Sequence, residues 1–400
     1  MDSEALRVPY AWAVYGQEEE NAVLNVLRSH NTGAGSNVKE FENKVSNLFG
    51  KKYGVMVNSG SSANLLACEC LKLAEKSEVI TPVLTFSTTV APLVQKGLKP
   101  VFIDVEEGTY LVNELQLEQS ITSKTRALMI PSLIGNIPNM ERIHQIANEN
   151  SLYFVEDSCD TIGAKFNGKP TGSYSDISTT SFYGSHIITA AAHGGMLCVN
   201  KEEWALRAKV LSGWGRSSAI NETESVSKRF NSNVDGIPYD AKFVFLEVGY
   251  NLLPSEICAA FGVEQLKRLD SFHRIRRNNF KILFDFFSKY DEFFILPKQS
   301  AKAETSWLAF PLTIKEGTRF TRKQLTEYLE DNNIQTRPVF TGNILRQPGF
   351  KNIDHGQFTK EFPVANNIMK NAFLIGCHQG LEEKHLSKIK TVFSAFLDKY

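Results

Sequence analysis

The chain has 400 residues, which is long for one core and predicts a large domain over 1–265 and a small domain over 266–400. Its 44 Lys and Arg residues balance 44 Asp and Glu residues, so no net field attracts nucleic acid or an anionic membrane, and neither is an expected partner. No apolar run approaches the roughly 18 residues that span a bilayer, and the six cysteines are scattered, so free thiols and a cytoplasmic location are expected.

Strands and helices alternate along the first 160 residues. Strands are predicted at 53–57, 79–82, 100–104, 126–131 and 152–157, and helices at 17–29, 38–49, 65–73, 88–96 and 140–150. This alternation predicts an α/β fold, with a mainly parallel central sheet flanked by helices in the large domain. Ligands of such sheets bind at the carboxyl ends of the strands, so the polar residues there are the first candidates for a site.

A polar, loop-like segment at 214–248 interrupts the second half of the large domain, and its length favours a lid or binding loop. A long amphipathic helix is predicted at 264–290, crossing into the small domain. A strand at 307–314 and helices at 322–332 and 381–400 predict a small C-terminal α+β domain.

Two turns carry possible site chemistry. The sequence Ser59-Gly60-Ser61-Ser62 lies between a strand and a helix, where free N–H groups and the helix dipole favour a phosphate; an ordinary capped helix is the alternative. The stretch from Ser181 to Thr189 places small hydroxyl residues and a glycine beside His186, which suggests an anionic ligand next to a titratable group. A satisfied core histidine is the alternative there.

Five motifs in order give the chain a wider resemblance. They are Ser59 to Asn64, Glu156-Asp157-Ser158-Cys159-Asp160, Ser181 to Thr189, Gly249-Tyr250-Asn251, and Gly342-Asn343-x-x-Arg346-Gln347-Pro348. Together they resemble the DegT/DnrJ/EryC1/StrS family of sugar aminotransferases and dehydratases. These are fold-type-I enzymes that use pyridoxal 5'-phosphate (PLP) and its aminated form, pyridoxamine 5'-phosphate (PMP).

The resemblance implies a set of cofactor contacts. Gly60, Ser61 and Ser181 would hold the phosphate, and Asn251 of a neighbouring subunit would complete that site, so a homodimer with a shared active site is expected. Phe86 would stack on the pyridine ring, and Asp157 would keep the ring nitrogen protonated so that the ring accepts electrons. Ser62 and Asp160 complete the implied cofactor set. Without the resemblance, Phe86 would be interpreted as a core residue and Asp157 as a capping residue.

His186 stands where aminotransferases of the family have the lysine that forms a Schiff base with PLP. This replacement resembles the 3-dehydratases of nucleotide-linked 4-keto-6-deoxy sugars, with glutamate as amino donor and His186 as acid and base. An aminotransferase-like enzyme or isomerase acting on another keto-sugar nucleotide, and a catalytically silent nucleotide-sugar binding relative, are the alternatives. The implied substrate contacts are Thr32, Gly33, His193, Arg337, Asn343 and Arg346.

Two departures from the family pattern matter. A related CDP-sugar enzyme carries an iron–sulfur cluster, and the region that resembles its cluster segment, 214–251, contains no cysteine here, so neither a cluster nor another metal is expected. The family's Gly-Glu-Gly-Gly run is replaced by Ala190-Ala191-Ala192-His193-Gly194-Gly195, which removes an acidic residue and adds an imidazole. His193 is therefore either a substrate contact or an ordinary loop residue.

Overall fold

The structure is a computed structural model that describes residues 6–220 and 225–400. Its helices are α1 (Gln17–Arg28), α2 (Ser36–Leu48), α3 (Gly60–Leu71), α4 (Ser87–Gln95), α5 (Glu114–Gln119), α6 (Met140–Glu149), α7 (Glu202–Ser212), α8 (Val226–Phe230), α9 (Glu256–Lys267), α10 (Leu269–Phe287), α11 (Arg322–Asp331), α12 (Pro363–Asn371) and α13 (Glu383–Leu397).

Its strands are β1 (Tyr53–Val57), β2 (Glu78–Pro82), β3 (Lys99–Ile103), β4 (Thr125–Pro131), β5 (Tyr153–Asp157), β6 (Lys165–Phe166), β7 (Lys169–Pro170), β8 (Ile177–Ser181), β9 (Gly195–Val199), β10 (Ser232–Val234), β11 (Ile237–Tyr239), β12 (Phe294–Ile295), β13 (Ala303–Glu304), β14 (Phe310–Ile314), β15 (Thr336–Pro338), β16 (Gly356–Gln357) and β17 (Ala372–Ile375).

A large sheet organises the first part of the chain. Among the described residues its strand order is β1-β9-β8-β5-β4-β2-β3-β16. Neighbouring strands pair in parallel from β8 to β16, and β9 runs antiparallel to both β1 and β8. The α/β fold with a mainly parallel sheet, predicted from the alternation of elements, is confirmed.

The central strands are apolar on both faces because helices cover both sides of the sheet. Ala127, Met129 and Val155 point to one face and join the core under α3 and α7. Leu128 and Phe154, which alternate with them, join the opposite core under α6. Alternate residues of these strands thus pack into two opposite cores, and the polar residues lie at the strand ends.

A second, antiparallel sheet of order β12-β14-β17-β15 forms in the C-terminal part. Phe287, Phe310 and Phe393 pack with it in a core of aromatic side chains. This core also includes Val83 and Phe102 from the region of the large sheet. The domain division at 265 therefore stays a prediction, since apolar packing is continuous across it.

Two predicted helix boundaries are wrong. Helix α3 begins at Gly60, five residues earlier than predicted, because Ser59 caps it: the Ser59 Oγ accepts from the Ser62 N–H at 3.1 Å. The predicted helix at 264–290 is two helices, α9 and α10, which meet at Arg268. The Arg268 N–H donates to Gln265 O, three residues back, and its side chain pairs with Glu19 on α1 at 3.0 Å.

The polar segment predicted at 214–248 contains a short helix, α8, and the hairpin β10–β11. Its apolar side chains are unusually exposed, including Val226, Ile237, Phe245 and Val248. Across the ranges 6–220 and 225–400, no helix combines the length and the apolar character that crossing a membrane requires.

Candidate active site

A cavity of about 460 Å³ opens at the carboxyl ends of β1, β4, β5 and β8. This is the edge at which ligands of parallel sheets bind. Residues of the C-terminal part, among them Leu308 and Arg337, close its far side. Its walls contain many of the residues singled out from the sequence, namely Gly60, Ser61, Phe86, Asp157, Asp160, Ser181, His186 and Arg337.

One end of the cavity is formed by the N-terminus of α3 and the end of β8. A Cβ atom built on Gly60 would lie 2.5 Å from Ser181 Cβ and 2.7 Å from Cys159 Sγ, so only glycine lets the two chain segments approach this closely. The Ser61 hydroxyl donates to Thr88 Oγ1 at 2.8 Å. Backbone N–H groups of a first helical turn and nearby hydroxyls suit a phosphate.

Asp157 lies at the cavity floor, where β5 ends, and is nearly fully buried. Its Oδ2 accepts from Asn64 Nδ2 at 2.8 Å and from Thr89 Oγ1 at 2.7 Å, and its Oδ1 accepts from the Cys159 N–H at 3.2 Å. These donors hold the carboxyl group in place. A buried carboxylate at this position suits a protonated ring nitrogen.

Phe86 precedes α4 and is 51% exposed, with its ring edge-on to Phe340 at a centroid distance of 6.0 Å. A large aromatic side chain that is half exposed inside a cavity is available to stack on a planar ligand. Phe86 lines the cavity, and its stacking on the pyridine ring stays a prediction.

His186 occupies the turn between β8 and β9, with a side chain that is 14% exposed. Its Nδ1 is buried without a hydrogen-bond partner in the described residues. Burial lowers the pKa of the imidazole to about 4, the charge of Arg276 acts in the same direction, and the Cys159 backbone opposes it. The imidazole is therefore neutral at pH 7, which is the form that accepts a proton.

Asp160 faces His186 across the cavity wall, with its Oδ1 3.9 Å from His186 Nδ1. Its Oδ2 accepts from the Ile134 N–H at 2.8 Å. Burial raises the pKa of this carboxyl to about 7, and the nearby charge of Asp157 adds to the rise. Asp160 thus exchanges its proton near neutral pH beside an imidazole that does not hold one.

Several predicted contacts do not line the cavity of a single chain. The Ser62 hydroxyl instead donates to Asn58 Oδ1 at 2.6 Å, and Asn343 Nδ2 donates to Asn366 Oδ1 at 3.0 Å. The other predicted contacts outside the wall are exposed: Thr32, Gly33, His193, Asn251 and Arg346.

Sequence reasoning missed other wall residues, including Asn64, Thr89, Tyr10 and Leu308. Asn64 and Thr89 hold Asp157 from two different helices, α3 and α4. Their roles depend on which strands are neighbours in the sheet, and no local pattern carries that information. Tyr10 lies beneath the Arg337 guanidinium, 5.7 Å from the ring centroid.

The wall therefore offers a cradle for a phosphate, a carboxylate for a ring nitrogen, an aromatic face and an acid–base pair. These groups fit PLP, and with the sheet they define a PLP-dependent enzyme of fold type I. Gly60, Ser61 and Ser181 would surround the phosphate, and Asp157 would face the pyridine nitrogen.

Comparison with known proteins agrees. The chain belongs to the DegT/DnrJ/EryC1/StrS aminotransferase family, which it matches over residues 14–394. It is 34% identical over 401 residues to the lipopolysaccharide biosynthesis protein RfbH of Salmonella typhimurium, covering 97% of this chain and 91% of that protein. It is also 34% identical over 385 residues to GDP-4-keto-6-deoxy-D-mannose 3-dehydratase of Yersinia pseudotuberculosis, covering 94% and 95%.

Among solved structures, GDP-4-keto-6-deoxymannose-3-dehydratase with a trapped PLP-glutamate geminal diamine superposes with a TM-score of 0.87. The sequences are 30% identical, and the match covers 96% of this chain and 99% of that one. The protein is thus an enzyme, and PLP is its cofactor.

Proposed function

We propose that the protein is a PLP/PMP-dependent 3-dehydratase of a nucleotide-linked 4-keto-6-deoxy sugar, with glutamate as the amino donor. In the overall reaction the sugar loses the oxygen atom at C3, glutamate is oxidised to 2-oxoglutarate, and ammonia is released. Oxygen and electrons balance between the two substrates, so no outside reductant is required. Relatives named for this reaction and a neighbour holding a PLP-glutamate adduct support the proposal.

The observation that carries the proposal is the identity of the titratable residue on the cavity wall. No lysine is found among the described residues that line the cavity, and His186 stands at the end of β8 instead. An imidazole cannot form a stable imine with an aldehyde, whereas a lysine can. It can still move a proton, which is the chemistry that elimination of a hydroxyl group needs.

Each wall residue then has a separate task. PMP, when bound, supplies an amine that can condense with the C4 ketone and a ring that accepts electrons. Asp157 would keep that ring protonated at its nitrogen, and Gly60 and Ser181 would hold the phosphate. His186 would act first as the base and then as the acid that protonates the departing C3 oxygen.

The electrostatics of the wall support this order of events. His186 begins neutral at pH 7, because burial lowers its pKa to about 4, so it accepts a proton before it donates one. Protonated His186 then lies beside Asp160, whose Oδ1 is 3.9 Å away, and an ionised carboxylate there stabilises the charge that forms.

We also infer that the active site is shared between two copies of the chain. Asn251 is exposed and lies outside the cavity of its own chain. The segment before it exposes apolar side chains, with Phe245 at 59%, Leu246 at 58% and Val248 at 97% exposure. Exposed apolar residues this close together are typical of an interface rather than of a solvated loop.

We also propose which residues contact the substrate. Arg337 lines the cavity and supplies a positive charge that suits a nucleotide diphosphate. The exposed residues Thr32, Gly33, His193 and Arg346 would reach the substrate from surface loops or from the second copy. Asn343 is also a proposed contact, although it is buried in this chain and donates to Asn366.

The direct test is incubation with PLP, glutamate and a panel of 4-keto-6-deoxy sugar nucleotides, with mass detection of the products. A product lighter by one oxygen atom is expected, together with 2-oxoglutarate. His186→Ala should slow its formation by roughly 100- to 10,000-fold, and His144→Ala, a histidine of α6 that does not line the cavity, serves as the matched control. A product in which an amino group replaces the C4 oxygen would instead identify an aminotransferase and refute the proposal.

A further inference from the structure

Arg276 is a fully buried cation with neutral partners. It lies on α10, is 1% exposed, and donates from Nε to Gln379 Oε1 at 2.6 Å. Its Nη1 donates to the carbonyl oxygens of Trp307 and Leu308 at 3.2 and 2.9 Å. In the part of the chain that the structure describes, the groups that act on its pKa are Cys377 and Tyr10, and no carboxylate is among them.

A buried guanidinium without a counter-ion destabilises a fold, because desolvation costs several kcal/mol that an ion pair would partly offset. Burial lowers the pKa of Arg276 to about 10, which leaves it charged at neutral pH. The interior therefore contains a positive charge at neutral pH, and this charge disfavours protonation of nearby titratable groups.

The partners of Arg276 lead directly to the active site. Gln379, which accepts from Arg276, donates its own Nε2 to the carbonyl oxygen of Ile187 at 3.0 Å. Ile187 follows His186 in the chain and is buried. On the other side, Leu308 accepts from Arg276 and lines the cavity. One guanidinium is thus linked, through Gln379, to the backbone beside His186 and, directly, to a residue of the cavity wall.

We propose that Arg276 and Gln379 are positioning residues for His186: Gln379 fixes the backbone at Ile187, and Arg276 holds Gln379 and brings a buried positive charge into the hydrogen-bonded network that ends beside the imidazole. This inference rests on the proposed function, in which His186 moves protons.

Other charged groups also face His186. Asp160 lies 3.9 Å away on the turn after β5 and favours the protonated imidazole when it is ionised. Asp157, Tyr10 and Arg337 line the same cavity from β5, the N-terminal segment and β15. Tyr183, on the turn of His186 itself, contacts the imidazole edge-on at a centroid distance of 6.2 Å.

Arg276 differs from these groups in being a buried cation. Its effect also reaches beyond one residue: behind burial it lowers the pKa of His186 and His378, and behind burial and Arg277 it lowers the pKa of His273. Two effects can therefore be tested separately. The electrostatic effect on His186 requires the charge of Arg276, whereas the hydrogen bond to Ile187 O requires the Gln379 amide.

The test uses holoenzyme loaded with PLP and glutamate, and follows the titration of His186 by NMR of ¹³C-labelled histidine, assigned with His186→Gln. Arg276→Met removes the charge, and the His186 pKa should rise by about one unit or more, a tenfold change in proton affinity. Arg276→Lys retains the charge and should leave the pKa low. Arg277→Met, an exposed position on the same helix, is the matched control.

Two variants of Gln379 keep Arg276 in place and so guard against a failure of Arg276→Met to fold. Gln379→Glu places a carboxylate against the guanidinium, and the His186 pKa should rise although the arginine remains. Gln379→Met removes the bond to Ile187 O, and should lower kcat by up to about 100-fold with the pKa unchanged and the KM for glutamate little affected.

The results separate the inference from the proposed function. A raised His186 pKa in Arg276→Met and Gln379→Glu, but not in Arg277→Met, supports the inference even if no sugar is dehydrated. An unchanged titration in both variants, or an equal shift in Arg277→Met, overturns it. If the wild-type enzyme dehydrates no sugar nucleotide, the proposed function is refuted and this inference is not affected.

Discussion

The Nδ1 atom of His186 lies 3.9 Å from Oδ1 of Asp160, beyond hydrogen-bond distance but close enough for their charges to interact. Burial moves the two pKa values past each other, with that of the carboxyl raised to about 7 and that of the imidazole lowered to about 4. Between these values both groups are neutral. Above pH 7 the carboxylate is ionised and strengthens the imidazole as a base.

Asp160→Asn should therefore change the pH profile of kcat. In the wild type, kcat should rise as the pH passes through about 7, because ionised Asp160 favours proton uptake by His186. The amide cannot ionise, but its oxygen can still accept from the Ile134 N–H, so the fold is kept. The variant should lack the rise near pH 7 and be roughly 10- to 100-fold slower at pH 8. A rise near pH 7 that persists in Asp160→Asn would show that another group causes it.

Gly60→Ala should weaken PLP binding. The new Cβ would lie 2.5 Å from Ser181 Cβ, a distance that forces α3 and β8 apart where the phosphate would sit. Overpacking of this kind costs about 1–3 kcal/mol, or roughly a factor of 5 to 150 in Kd. Gly349→Ala is the control, since nothing lies within 4 Å of its Cβ position. Equal PLP affinity in both variants, measured by absorbance titration, would contradict this assignment.

Strands β1 to β5 of the large sheet could be predicted because each is a local pattern, whereas β8, β9 and β16 were not predicted. Buried strands such as β4 and β5 are short apolar runs, and their polar ends, as at Asp157, follow from the rule that ligands bind there. The position of His186 could be predicted too, because its distance along the chain from Ser181 is short and fixed.

The other site contacts could not be predicted, because they join residues that are far apart in the chain. Asn64 and Thr89 meet Asp157 from 93 and 68 residues away, and Gln379 reaches Ile187 across 192 residues. The break at Arg268 was not predicted, since the apolar pattern continues through it and the ion pair of Arg268 with Glu19 is a tertiary contact.

His186→Lys should attach PLP covalently. The lysine would extend from the same turn into the cavity that holds Asp157 and Ser181, where an amine can reach the aldehyde of the cofactor. Borohydride reduction followed by mass analysis of the tryptic peptides should find PLP on the peptide that contains residue 186. His193→Lys, in an exposed loop, should remain unlabelled; labelling of the second variant alone would mean that His193, and not His186, faces the cofactor.

Mixing two inactive variants should restore activity if the site is shared. In a heterodimer of His186→Ala and Asn251→Ala, one site carries both substitutions and the other carries neither. Random exchange of subunits should therefore recover about a quarter of wild-type activity. The control is a mixture of His186→Ala with Asp157→Ala, two residues of one cavity wall, which should stay inactive. No recovery in the first mixture, with exchange verified by mass, would place Asn251 in its own chain's site.

Acid stability offers a test that is independent of activity. His378 is fully buried; its Nε2 lies 3.0 Å from Pro9 O, and its Nδ1 accepts from the Gly380 N–H at 3.2 Å, so both nitrogens are satisfied in the neutral form. Burial lowers its pKa from 6.5 to about 3, and the charge of Arg276 contributes. The unfolded chain therefore binds a proton below pH 6.5 that the folded chain refuses, and stability falls as the pH drops from 6.5 towards 3. Each such proton changes the free energy of unfolding by about 1.4 kcal/mol per pH unit.

His378→Gln should lower the melting temperature at pH 7, because the two hydrogen bonds are disturbed, yet it should flatten the fall of the melting temperature between pH 6.5 and 4.5. The variant and wild-type curves should converge on the acid side when measured by scanning calorimetry at matched scan rates. His193→Gln, which changes an exposed imidazole, should follow the wild type throughout. If His378→Gln and the wild type lost stability in parallel over this range, His378 would not be the buried neutral group that resists protonation. The effect of the Arg276 charge on the pKa of His378 would then also be refuted.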